Sequence, residues 1–194
     1  GKKGGDAKEE KKGPSPEEAA KQAAKDAEKR KAKIIKEGGK KGVEIEGASD
    51  MGGLDFFCTT MELPEGNLEY LELSMLAMNA EPDPEAEDRK GCSGHVGKMI
   101  FSAGTKQLAM IAYVPDGEHN KSAGKVDVTA WMADVLAKVG GEVVKPAFDV
   151  VSMIPNSKTG SIIEGATTGK IKGKVVVAVA KSDPEKGKFA LKDK

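Results

Sequence analysis

The tightest constraint on this chain lies in residues 98–141. Two short apolar runs there, residues 98–102 and 107–114, are separated by a turn at Ala103-Gly104 and followed by a polar loop over residues 115–122. A helical pattern then starts at Asp127 and stops at Gly140-Gly141. Short runs rich in β-branched and aromatic residues, bounded by Gly and Pro, read as buried strands. The stretch is therefore a β-hairpin feeding a helix, and the rest of the chain has to be arranged around it. Trp131, Met132, Val135, Leu136 and Val139 share one face of that helix, which places the single tryptophan in the core.

Upstream, Pro64-Glu65-Gly66-Asn67 opens a second helix, over residues 68–79, with Leu68, Leu71, Met75 and Met78 at helical spacing. Residues 54–61 form a strand whose Phe56 and Phe57 enter the core, and residues 43–46 alternate like a short edge strand. The acidic stretch 81–88 carries Pro82 and Pro84 and is a surface loop. Downstream, strands are expected at 148–154 and 174–180, with a turn over 155–160. Helix, loop, apolar strand and an Asp/Pro corner recur at 67–118 and 127–185, so residues 43–194 read as one α/β domain of two related halves, 43–118 and 119–194. The expected class is α+β: a mixed β-sheet with helices packed on one face.

In front of this domain stands a region of another kind. Residues 1–42 carry 14 Lys/Arg against 8 Asp/Glu, a net +6, whereas residues 43–119 carry 4 against 15, a net −11. Residues 120–194 return to +5, from 13 against 8, so the overall zero hides a block pattern. Residues 1–14 have almost nothing to bury and are expected to be disordered. Ser15, Pro16 and Glu18 form a capping box with Pro at the first helical position. Helix formers follow to about residue 37, where Gly38-Gly39 end the run. This basic, solvent-exposed helix (about 16–37) has only Ile34 and Ile35 as large aliphatics, and its excess of lysine suits an acidic surface or a phosphate backbone.

No catalytic constellation is legible. His95 and His119 lie in loops, and a zinc site would require Cys58, Cys92, His95 and His119 to converge. Asn156-Ser157-Lys158-Thr159-Gly160 lacks the glycine spacing and following helix of a phosphate loop. No enzyme, metal or cofactor is expected. With two distant cysteines, no apolar leader and no run of the roughly 20 apolar residues that a membrane span needs, the chain reads as intracellular, cytoplasmic and thiol-bearing, without a membrane partner.

Binding features are better represented. Lys170, Lys172 and Lys174 occupy alternate positions, which in an extended chain face one side. Lys98, Lys106, Lys121 and Lys125 flank the hairpin, and Lys29, Arg30 and Lys33 stand on the basic helix; together these ten residues form the candidate phosphate-contacting set. Aromatics make up only 4% of the chain, which disfavours a base-stacking platform and leaves recognition by shape and backbone. Nothing indicates DNA specificity.

The order of elements resembles the C-terminal domain of alanyl-tRNA synthetase, a module shared with DHH-type phosphoesterases. The likeness rests on the helix at 68–79, the strand ending in Ser102-Ala103-Gly104, the long strand 107–114, Ala123-Gly124, the helix 127–139 and Gly140-Gly141. It covers less than half of the chain. The family's glycine-rich run after the last helix is cut to Gly140-Gly141, followed by Glu142-Val143-Val144-Lys145-Pro146, and the editing motifs of the wider family are absent. The resemblance implies a non-catalytic module docking on structured RNA, tRNA or rRNA, within the translation apparatus. The competing expectation is a structural accessory subunit of a large protein assembly, cytoskeletal or organellar, and a small editing-type hydrolase is the third.

Overall fold

The computed structural model describes residues 15–85, 87–117, 125–150 and 172–181. The chain divides into two compact units, the first ending at Arg30 and the second beginning at Lys31. In the first, the capping box forms as read: Ser15 Oγ accepts from the Glu18 amide at 3.3 Å, and the Ser15 amide donates to Glu18 Oε2 at 2.9 Å. That bonding holds the Glu18 carboxyl below its ordinary range. Exposed i,i+4 pairs, Lys21 with Glu17 and Gln22 with Asp26, continue along the helix.

Helix α1 (Pro16–Gly52) does not stop at Gly38-Gly39, and residues 43–46 are helical rather than an edge strand. Packing in the second unit explains the difference. Ile34, Ile35 and Ile45 are buried, and Gly38, Gly39 and Gly42 are buried beside them. A Cβ at Gly38 would lie 2.8 Å from the Ser74 carbonyl oxygen. At Gly42 it would lie 2.5 Å from the Met78 carbonyl oxygen and closer still to that of Gly91. Each helical glycine costs about 1 kcal/mol relative to alanine, whereas burying one isoleucine contributes about 1.5–3 kcal/mol. Ile34 and Ile35 anchor the helix before the glycines, and burial of Ile45 beyond them, together with the close backbone approach, offsets the local preference for a stop.

Strand β1 (Phe56–Thr60) leads into α2 (Leu68–Asn79), whose N-cap Asn67 accepts from the Tyr70 amide. The acidic loop that follows is closed at its base: the Cys92 amide donates to the Ala80 carbonyl and the Gly91 amide to that of Gly39, both at 2.8 Å. β2 (Gly97–Ala103) and β3 (Gln107–Pro115) form the expected hairpin. Asp127 caps α3 (Val128–Val139), and Gly140 ends it in the left-handed region. β4 (Glu142–Asp149) begins six residues before the strand expected at 148, and residues 151–160 lie outside the described residues. Pro146 is accommodated because β4 is an edge strand with two register irregularities. β5 (Gly173–Lys181) matches its expected place.

The sheet order is β1-β2-β3-β5-β4, parallel between β1 and β2 and antiparallel elsewhere. The α+β class and mixed sheet are as expected, but the helices occupy both faces. Ile100, Ile111, Tyr113, Val175 and Val177 pack with α2 and the tail of α1. Met99, Met110, Ala112, Val176 and Ala178 pack with Met132 and Leu136 of α3. Handedness accounts for this. The β1-α2-β2 and β3-α3-β4 crossovers move the same way across the sheet from strands that run in opposite directions. Crossovers of one hand then place their helices on opposite faces. The two stretches do repeat the order helix–strand–strand, but with helices on opposite faces no rotation superposes one on the other.

Candidate functional site: the lysines of the hairpin and of α1

The ten basic residues fall into different environments. Lys98 is not on the surface: it is fully buried on the α2 side of β2, in register with Ile100. Its ammonium donates to Asn79 Oδ1 at 2.5 Å and to the Ser93 carbonyl at 2.6 Å. It also sits 4.8 Å from the centre of the Tyr113 ring. Asn79 is the last residue of α2, so the charge meets the negative end of that helix. Tyr113 in turn donates to the Gly94 carbonyl at 2.5 Å. Burial pulls the Lys98 ammonium well below the ordinary lysine range and pushes the Tyr113 phenol up. Lys98 therefore pins the 91–96 turn to α2 and cannot reach a phosphate.

Lys125 is exposed but paired with Asp55, and Lys174 is exposed but paired with Asp149 at 2.7 Å, which raises its pKa. Lys172 is exposed, and its carbonyl accepts from the Asp116 amide at 3.0 Å. Lys106 is exposed beside a concavity of about 300 Å³ that Glu65, Gly66, Asn67, Thr105 and Gln107 also line. Lys121 and Lys170 lie outside the described residues. Of the described members of the hairpin set, Lys98 is thus buried, and Lys125 and Lys174 each have an aspartate as partner.

On α1, Lys29 is exposed and Arg30 half-buried in the first unit. Lys33, in the second unit, is exposed together with Lys36 and Lys40. These three stand at i, i+3 and i+7 on α1 and border a concavity of about 360 Å³, completed by Glu37, Glu62 and Leu63. None of the three forms an ion pair among the described residues, unlike Lys31, which pairs with Glu69 at 2.7 Å, and Lys41, which pairs with Glu44 at 2.7 Å. Oε2 of Glu37 is buried and accepts no hydrogen bond among the described residues. Burial, and secondarily Glu62, push the Glu37 carboxyl up, while Lys41 draws it down.

Lys36, Glu37, Lys40 and Glu62 escape the sequence reading. The signal for the lysines is the 33/36/40 spacing, which becomes a face only once the helix continues through Gly38. Glu62 comes from another element, and no local pattern announces it.

Cys58 is exposed and Cys92 half-buried, and burial raises both thiols above their ordinary range. Among the described residues no three metal-capable side chains converge, and His119 lies outside them. Among the same residues no helix is long and apolar enough to cross a membrane. Comparison with protein-family models, with curated proteins and with solved structures gives no match.

Proposed function

We infer that this chain is a non-catalytic binding module that docks on an RNA-containing assembly of the translation apparatus, ribosome- or tRNA-associated, with the basic side of α1 toward phosphate. The observation that carries this reading is the set Lys33, Lys36 and Lys40: exposed, at helical spacing and without ion pairs among the described residues. Side chains so placed can exchange counterions for phosphates without first breaking protein contacts. The likeness in element order to the alanyl-tRNA synthetase C-terminal domain supports the choice of assembly. Relative to the sequence expectation, which set the hairpin lysines, the Lys170–Lys174 run and the basic helix together against phosphate, the contact is narrowed to the helix.

Fluorescence anisotropy with labelled tRNA across a salt series tests it. Binding that weakens steeply with salt, and that is lost in a Lys33→Glu/Lys36→Glu/Lys40→Glu variant, is expected. Absence of binding at low salt, with the wild-type chain folded, would sink the reading. One observation favours a protein partner instead: Glu81, Asp83, Glu85, Glu87 and Asp88 are all exposed on the loop after α2. A basic protein surface docking there would leave tRNA binding absent and the α1 lysines dispensable.

A further inference from the structure

We propose that β1 is the seat of a symmetric dimer, in which the free edge of one copy of this chain pairs antiparallel with the same edge of a second copy, making one continuous sheet. The dimer is independent of the RNA reading and holds with or without it.

The two edges of the sheet are built differently. β4 carries Glu142, Lys145, Pro146 and Asp149 and two register irregularities, the devices by which an edge strand resists further pairing. β1 has none of them: Phe56-Phe57-Cys58-Thr59-Thr60 carries no charge and no proline and keeps an unbroken register with β2. The Gly97 amide donates to the Asp55 carbonyl at 3.1 Å, and the Met61 amide to the Phe101 carbonyl at 2.8 Å. A strand in a parallel pair turns its backbone groups to that neighbour at every second residue. Phe57 and Thr59 are therefore turned to β2, and Phe56, Cys58 and Thr60 present their N–H and C=O groups on the open side. Among the described residues nothing bonds to those groups.

This edge is complementary to itself. Antiparallel pairing about a twofold axis at Cys58 sets Cys58 opposite Cys58 and Phe56 opposite Thr60, so the outward residues exchange bonds with one another. On the other face it sets Phe57 opposite Thr59. Both matches join an aromatic to a β-branched side chain, a favourable cross-strand pair. The corners of the edge complement each other as well. Glu62 lies beside Lys33, Lys36 and Lys40, and Ser49 Oγ donates to the Leu54 carbonyl at 2.7 Å, so the tail of α1 runs antiparallel to β1. The Glu62 corner carries those three lysines against Glu37 and Glu62. The Leu54 corner carries Glu46, Asp50 and Asp55 against Arg89 and Lys125, so the two corners differ in sign. The twofold axis brings the basic corner of one copy to the acidic corner of the other. Met51 and Leu54, 88% and 50% exposed, would be covered there beside Leu63 of the second copy.

Sedimentation equilibrium of the full chain over a concentration series, under reducing conditions, tests this. The weight-average mass should rise toward twice that of one chain. Cys58→Lys, which sets two ammoniums face to face on the axis, and Thr60→Lys should each weaken association at least about tenfold. Val143→Lys, on the β4 edge, should leave it unchanged. Residues paired by hydrogen bonds across antiparallel strands have Cα atoms about 5.5 Å apart. Bismaleimidoethane should therefore join two chains of the wild type and of Cys92→Ser, and none of Cys58→Ser. Circular dichroism confirms that each variant is folded. A wild type that stays a single chain at every concentration overturns the proposal. So does a dimer that both Cys58→Lys and Thr60→Lys leave intact, one that Val143→Lys dissociates, or one that does not crosslink in Cys92→Ser.

Discussion

Lysines at the start of β2 and on the tail of α1 resemble one another in sequence and differ in what surrounds them. Lys98 gives its charge to two carbonyl oxygens and a tyrosine ring inside the protein. Lys33, Lys36 and Lys40 leave theirs in solvent around a concavity. The contrast separates two roles for one residue type: a buried lysine holds the chain to itself, and an exposed one is available to something else. Composition counts both as positive charge, and only burial separates them.

The largest effect should come from breaking the buried side of this contrast. Lys98→Ala removes a fully buried side chain and strips the donor from Asn79 Oδ1 and the Ser93 carbonyl. It should lower stability by about 3–5 kcal/mol in urea unfolding, cavity and orphaned acceptors combined. Lys98→Met keeps the volume and should cost less, about 1–3 kcal/mol. If the methionine variant equals the wild type, the ammonium contributes no net stability.

The same pair of proteins sharpens the comparison through pH. Lys98 has a folded pKa below its unfolded value of roughly 10.4, so between the two the unfolded state binds more protons. Stability of the wild type relative to Lys98→Met should therefore rise as pH climbs through that window. The Cys58 and Cys92 shifts run the other way, upward from their ordinary values, and cancel in the difference between the two proteins, while the upward Tyr113 shift acts only above the ordinary tyrosine range. A flat difference from about pH 6 to about pH 9 would show that Lys98 titrates as an ordinary lysine.

Gly42→Ala tests the packing that carries α1 past its expected end. The added methyl would meet the Met78 and Gly91 carbonyls and should cost about 1–3 kcal/mol by thermal melt, despite alanine's better helix propensity. A stabilised variant would mean that the two backbones can separate. Lys174→Ala breaks an exposed, solvent-screened pair with Asp149 and should leave the thermal melt close to that of the wild type. Smallest of all, Lys33→Ala, Lys36→Ala and Lys40→Ala should each change stability by no more than about 0.5 kcal/mol. Their cost should appear in RNA binding instead.

How far the sequence shows this molecule follows from the range of each signal. The hairpin, α2, α3 and their caps at Asn67, Asp127 and Gly140 are written in local periodicity and turn chemistry, and they were legible. The end of α1 was not, because Gly38, Gly39 and Gly42 serve close approach to α2 rather than termination. The burial of Lys98 is half-legible: it shares the period-2 register of Ile100 and Ser102, both also buried. The face chosen by α3 depends on strand order, which no local pattern carries. The concavity at Lys33, Lys36 and Lys40 joins α1 to Glu62 and Leu63 across the fold, and only the unexpected half of the α1 stripe hints at it.

The bonded base of the acidic loop has a consequence for how this protein can vary. With the Cys92 amide on the Ala80 carbonyl and the Gly91 amide on that of Gly39, the intervening residues form an appendix whose two ends are already joined. Lengthening such a segment costs only about 0.6 kcal/mol for each doubling. Inserted peptides, affinity tags or fluorophores placed between residues 82 and 88 should thus leave the sheet and both helical layers undisturbed. This loop is a place where the chain can gain length at little cost in fold.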